Sequence, residues 1–202
     1  MKGLLLKDIL NLKKQGLIYI FLIALWFFMG IRNKDISYLS GLIAMVTLLI
    51  PVTAISYDEK ANWERYALTM PISKDTIIIS RYLLTICISL LGGVLSTIAG
   101  LLISTNIKEV LLTNMSVISV CLLFISVAFP FIFKYGVEKA RIIVVILFVI
   151  PTLLLTFASE FNITMPSEEV IMKFLYFLPL IVLVIIICSI EVSKMIYSKK
   201  EF

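Results

Sequence analysis

Side chains that make or break bonds are scarce in this sequence. There is no His, which removes the commonest general base and the commonest zinc ligand. Cys87, Cys121 and Cys188 stand far apart inside apolar runs, form no C-x-x-C pair and read as small buried hydrophobes. Glu168 and Glu169 are adjacent but isolated, and a solvated acidic loop accounts for them. No G-x-x-x-x-G-K-S/T occurs, so the chain lacks the usual phosphate-cradling loop for ATP. No Asp, Glu or Lys stands inside an apolar run, where a proton- or ion-coupled carrier needs one. Arg81 comes closest, near the end of its run, where it is expected to snorkel. The chemistry left is recognition. Charged and aromatic groups crowd into SYDEKANWERYALTMPISKD, Ser56 to Asp75, where Asp58, Glu59, Glu64 and Asp75 balance Lys60, Arg65, Lys74 and, just beyond, Arg81. Trp63, Tyr66 and Leu68 are large apolar groups in a polar loop. They either lie against a membrane face or insert into a partner, and aromatic and Arg residues are the usual anchors of interfaces.

The elements that hold this loop are membrane spans. Apolar residues make up 61% of the 202 and charged residues 15%, against about 45–50% and 25% in a soluble domain. The mean hydropathy is +1.09. Continuous apolar runs of helical length exclude a barrel, whose strands alternate over ~10 residues. The expected fold is therefore all-α and integral to the membrane, a single domain over 1–202. Six spans are expected, at Gly16–Ile31, Ile36–Tyr57, Tyr82–Thr105, Met115–Phe133, Ile142–Ala158 and Phe174–Ile190. The first follows a Lys-rich segment without an A-x-A-like site after it, so cleavage as a signal peptide is not expected.

Residues 1–15 read as an amphipathic helix lying in the interface. Leu5, Leu6, Ile9, Leu10 and Leu12 share one face. Lys7, Asp8, Asn11, Lys14 and Gln15 share the other, turned to headgroups, and Leu4 and Lys13 break the pattern. Fourteen Lys and Arg fall on the side of the termini and of the 58–75 loop, and four, Arg32, Lys34, Lys108 and Lys173, on the other. That bias puts both termini and the loop in the cytoplasm. The net charge of +5 is thus a topology signal, and nucleic acid is not expected as a partner.

Within the loop, Ser56 and Glu59 fit a capping box for a short helix from about Tyr57 to Leu68, ended by Pro71, with Ser73 capping the next span. In that span Gly92, Ser96 and Gly100 recur every four residues beside Gly93, a stripe that admits a second helix closely. The second helix belongs either to this chain or to a second copy. Pro51, Pro130, Pro151 and Pro179 sit inside spans and are expected to kink them.

WERYALTMPISK followed by IIISRYL resembles the cytoplasmic loop of small bacterial ABC type-2 permeases, and MKGLLLKDILNLKKQ resembles their N-terminal interfacial helix. The resemblance implies the membrane subunit of an ATP-driven exporter in the bacterial cytoplasmic membrane. Its loop would be a coupling helix, with Trp63, Glu64, Arg65, Tyr66, Leu68 and Pro71 docking in a groove of a separate ATPase subunit. The chain itself would be no enzyme and hold no cofactor or metal, ATP and Mg²⁺ being bound by that partner. Two permeases, identical or homologous, would form the transporter. Permeases that export antimicrobial or cytolytic peptides, or confer immunity to them, are the nearest in pattern. The outer loops are small, the largest being Ser159 to Lys173, which argues against permeases with large peptide-sensing domains. The rivals are the six-span substrate-capture subunit of a vitamin importer and a membrane protein without a transport role. The capture subunit docks through small residues in its first span, where this chain has only Ala24 and Gly30.

Overall fold

The computed structural model describes residues 2–13, 16–67, 69–103, 106–160 and 167–200. The described residues form eight helices: α1 (Lys2–Leu12), α2 (Gly16–Asn33), α3 (Ile36–Lys60), α4 (Trp63–Ala67), α5 (Lys74–Ile103), α6 (Ile107–Tyr135), α7 (Val137–Glu160) and α8 (Glu168–Ser198). Five segments are long and apolar enough to cross a bilayer: Gly16–Asn33, Tyr38–Lys60, Lys74–Leu102, Ile107–Tyr135 and Met172–Ser198. The fold is that of an all-helical integral membrane protein. The sixth expected span, Ile142–Ala158, falls within α7, where several side chains lie outside the described residues. Leu68 and residues 161–166 of the expected outer loop lie outside them too.

The helices outrun the expected spans because polar ends continue the same periodicity as their apolar middles. Pro51, Pro130, Pro151 and Pro179 all sit inside continuous helices.

The core lies between α3, α5, α6 and α8, with the first turn of α7 adding Val137 and Ala140. An aromatic ladder runs through it. The rings of Tyr82 and Phe129 meet edge to face at 4.9 Å, Phe129 and Phe133 lie 5.7 Å apart, and Phe133 meets Tyr197 at 5.9 Å. The Tyr82 hydroxyl is satisfied in place: it bonds Ser189 (2.6 Å) and Ser193 (2.9 Å), and Ser189 donates to the Ser126 carbonyl. Such pairing is what makes polar groups affordable in a membrane-embedded core. By contrast α2 packs mainly on α3, where Gly41 admits the Trp26 ring. A Cβ at Gly41 would come within 2.7 Å of it.

The small-residue stripe of α5 is spent inside the chain. A Cβ on Gly93 would sit 2.6 Å from Ile118 and one on Gly100 2.8 Å from Val110, both on α6. Ser96 donates to the Asn114 side-chain carbonyl (2.9 Å), and the Asn114 amide donates to Thr97 (3.0 Å). Gly92 turns instead toward the α3 backbone at Ile43.

The expected capping box does not form, because α3 does not stop at Tyr57. It runs on to Lys60, which leaves Ser56 and Glu59 in its C-terminal turns, where they cannot cap the start of a helix. Glu59 caps a different helix: both its carboxylate oxygens accept from the Val137 N–H at the first residue of α7 (2.9 and 3.0 Å). Gly136 makes the turn there at φ 82°, a left-handed value that favours glycine. Asn62, at φ 49°, makes the break between α3 and α4.

Candidate coupling site

The 58–75 loop is short in helix and rich in attachments. α4 is a single turn held between α3 and α5, and Ser73 starts α5 by accepting from the Thr76 N–H (3.2 Å). Ala67 is fully buried at its base. The half-buried Trp63 carries the Lys7 ammonium over its ring, 3.4 Å from the centroid, a cation–π contact to α1. On the far side Glu64 faces Lys200 (3.5 Å), just past α8, and lies beside Tyr197. Lys74 closes the same corner by donating to the Ser198 and Lys200 carbonyls (3.2 and 3.1 Å). One turn of helix is thus tied to α1, α3 and α8 and runs on through the chain into α5.

Behind Trp63 lies a buried quartet of charges. Arg81 on α5 pairs with Asp8 on α1 and Asp58 on α3. Lys7 pairs with Asp58 (2.6 Å) and Asp8 (3.2 Å). Asp8, Asp58 and Arg81 are 1%, 3% and 5% exposed. Two carboxylates and two cations leave the group neutral, the condition under which ionised groups survive burial. Burial lowers the Lys7 ammonium and repulsion from Arg81 adds to it. Asp8 opposes both, and Lys7 settles at about 8.

This geometry corrects the expected orientation of α1. Lys7 and Asp8 of the polar face do not look to headgroups but turn into the protein, while Leu6 and Leu10 are exposed; Lys14 and Gln15 lie outside the described residues. Leu4, which broke the expected pattern, is buried one turn before Asp8. In a bilayer an apolar face is at no disadvantage outside, and the polar groups find partners inside. Arg81 is likewise buried and paired, and does not snorkel.

Of the residues singled out from sequence, Trp63 and Glu64 face the chain's own α1 and α8. Arg65, Tyr66 and Pro71 are exposed, Tyr66 at 65%, and so is the neighbouring Met70, which the sequence did not single out. Trp63 and Tyr66 thus do not form one outward face. Sequence reasoning missed the quartet. Its signal was present as unlike charges at the ends of three apolar segments, Asp8, Asp58 and Arg81, but nothing in one sequence says that those ends converge.

α4 thus joins the ends of two long helices and keeps an exposed outer face. The family model for ABC-2 family transporter proteins matches residues 3–198. The chain belongs to that family. No curated protein matches it. Membership makes the chain a multi-pass permease, the membrane subunit of an ABC transporter, and sets aside the vitamin-capture subunit. Such permeases normally work with an ABC ATPase subunit and generally lack an ATPase site of their own.

Proposed function

We propose that this permease is the membrane half of an ATP-driven exporter of amphipathic peptides, with α4 as its contact to a separate ATPase. The observation that carries the reading is the position of α4: it is covalently continuous with α3 and α5, clamped by Lys7 and Lys200, and open on the face of Arg65, Tyr66 and Met70. A groove closing on that face moves five helices at once. Tyr66 is the anchor and Arg65 the rim charge. Trp63 and Glu64 carry the movement inward to α1 and α8, and Pro71 stiffens the link to α5.

The termini and α4 lie in the cytoplasm, in keeping with the fourteen-to-four distribution of Lys and Arg. ATP and Mg²⁺ belong to the partner. ATP can drive alternation only by contacting one arrangement of the spans better than the other. Two permease copies, identical or homologous, enclose the path, and its apolar lining suits an amphipathic cargo.

The test is ATP-dependent export of a fluorescent amphipathic peptide, read as its accumulation inside inverted vesicles containing permease and ATPase. Wild type should export with ATP. Tyr66→Ala should lose ATPase association by about 30-fold or more, a ~2 kcal/mol anchor, and lose export with it. Full association and full export by Tyr66→Ala would refute the role of α4. ATP-dependent turnover without peptide movement would refute the cargo.

A further inference from the structure

We propose that the cleft between α3, α6 and α7 is a binding site for an anionic phospholipid of the leaflet at the α4 end, one acyl chain lying in the cleft and the phosphate at Arg141. The cleft has a volume of about 610 Å³, within the ~300–1,000 Å³ of ordinary ligand sites. Its deep part is lined by Leu48 and Val52 of α3, Phe124 of α6 and Leu147 of α7. Its mouth carries Ser56 and Arg141. Among the described residues Arg141 is the one charged group of the lining, and no carboxylate pairs with it.

The dimensions select the occupant. Leu48 and Ser56 are eight residues apart on one helix, which is about 12 Å at ~1.5 Å per residue. Half the hydrocarbon thickness of a bilayer is about 15 Å. An acyl chain whose headgroup sits at Ser56 and Arg141 therefore runs the depth of the cleft and ends with its own leaflet. An empty apolar cleft forfeits contacts on every lining side chain, and lipid is the apolar material always at hand. Net charge selects the headgroup: the guanidinium can hold the phosphate of any phospholipid, but with no carboxylate offsetting it, it favours a headgroup of net negative charge over one that carries its own cation. A cationic amphipathic peptide meets the wrong sign there.

The experiment uses the full chain in nanodiscs of equal phosphatidylcholine and phosphatidylglycerol. The protein is released into mild detergent and its retained lipids are identified by native mass spectrometry. Phosphatidylglycerol should be retained over phosphatidylcholine by about fivefold, the ~1 kcal/mol of one cation at a membrane surface. Arg141→Gln should bring the two lipids to parity, and Arg141→Lys should keep the preference. Val144→Phe, which narrows the cleft, should lower retention of both lipids. Equal retention by wild type, an unchanged preference in Arg141→Gln, or displacement of the lipid by an amphipathic peptide at stoichiometric amounts would overturn the proposal. No ATPase or transport readout enters, so its failure would leave the exporter reading untouched.

Discussion

Replacing Arg81 by Met keeps the side chain long and deletes its charge. Asp8 and Asp58, 1% and 3% exposed, then depend on Lys7 alone. Removing one partner from a buried ion pair costs ~3–5 kcal/mol, chiefly through the charge left behind. Lys7 still reaches both carboxylates, at 2.6 and 3.2 Å, so the lower figure applies. A loss of about 3 kcal/mol is roughly 150-fold in the equilibrium between docked and undocked α1. Hydrogen exchange at the α1 amides reads that equilibrium directly, and their protection should fall by about that factor while the α6 amides change little. Arg81→Lys should recover only part, because one ammonium cannot hold two carboxylates as a guanidinium does. Adding Asp58→Asn to Arg81→Met should restore protection, since it removes the uncompensated charge. If Arg81→Met leaves α1 exchange within twofold of wild type, or if the second substitution makes it worse, the quartet does not hold α1.

Three further outcomes follow from named contacts. Gly100→Ala puts a Cβ 2.8 Å from Cγ1 of the fully buried, branched Val110 and should lower the melting temperature in detergent, whereas Gly92→Ala meets only ordinary contact, 3.8 Å from the Ile43 Cα, and should melt within a degree or two of wild type. Glu59→Ala strips the cap from the Val137 N–H and should cost ~0.5–2 kcal/mol, seen as faster exchange in the first turn of α7. Lys7 titrates at about 8 in the folded chain against its ordinary 10.5, so between those values the unfolded chain binds more protons and this group makes stability rise with pH. The denaturation midpoint of wild type minus that of Lys7→Met should therefore increase from pH 7.5 to 9.5, and a flat or falling difference would contradict the burial of Lys7.

The membrane class and the long helices were legible because apolar runs of ~20 residues have one physical reading. The family was legible in WERYALTMPISK and in the N-terminal helix. The orientation of α1 was not. Its Leu and polar faces are the same in either pose, and which face turns inward depends on Asp58 and Arg81, 50 and 73 residues away from Asp8. Glu59 was assigned to the wrong helix for the same reason: a capping box is local, while its partner Val137 is 78 residues distant. The α5 stripe was visible as a surface for close approach, but its neighbours Ile118 and Val110 emerge only from the packing of α6.

Photo-crosslinking from single positions in intact cells tests the central claim that α4 is the ATPase contact. A photoreactive residue replaces Tyr66 in one strain and the exposed Tyr176 of α8 in another. The account predicts a crosslink from position 66 to an ATP-binding subunit, stronger with ATP present, and none from position 176. An ATPase adduct from position 176, or none from position 66 at equal expression, would contradict it.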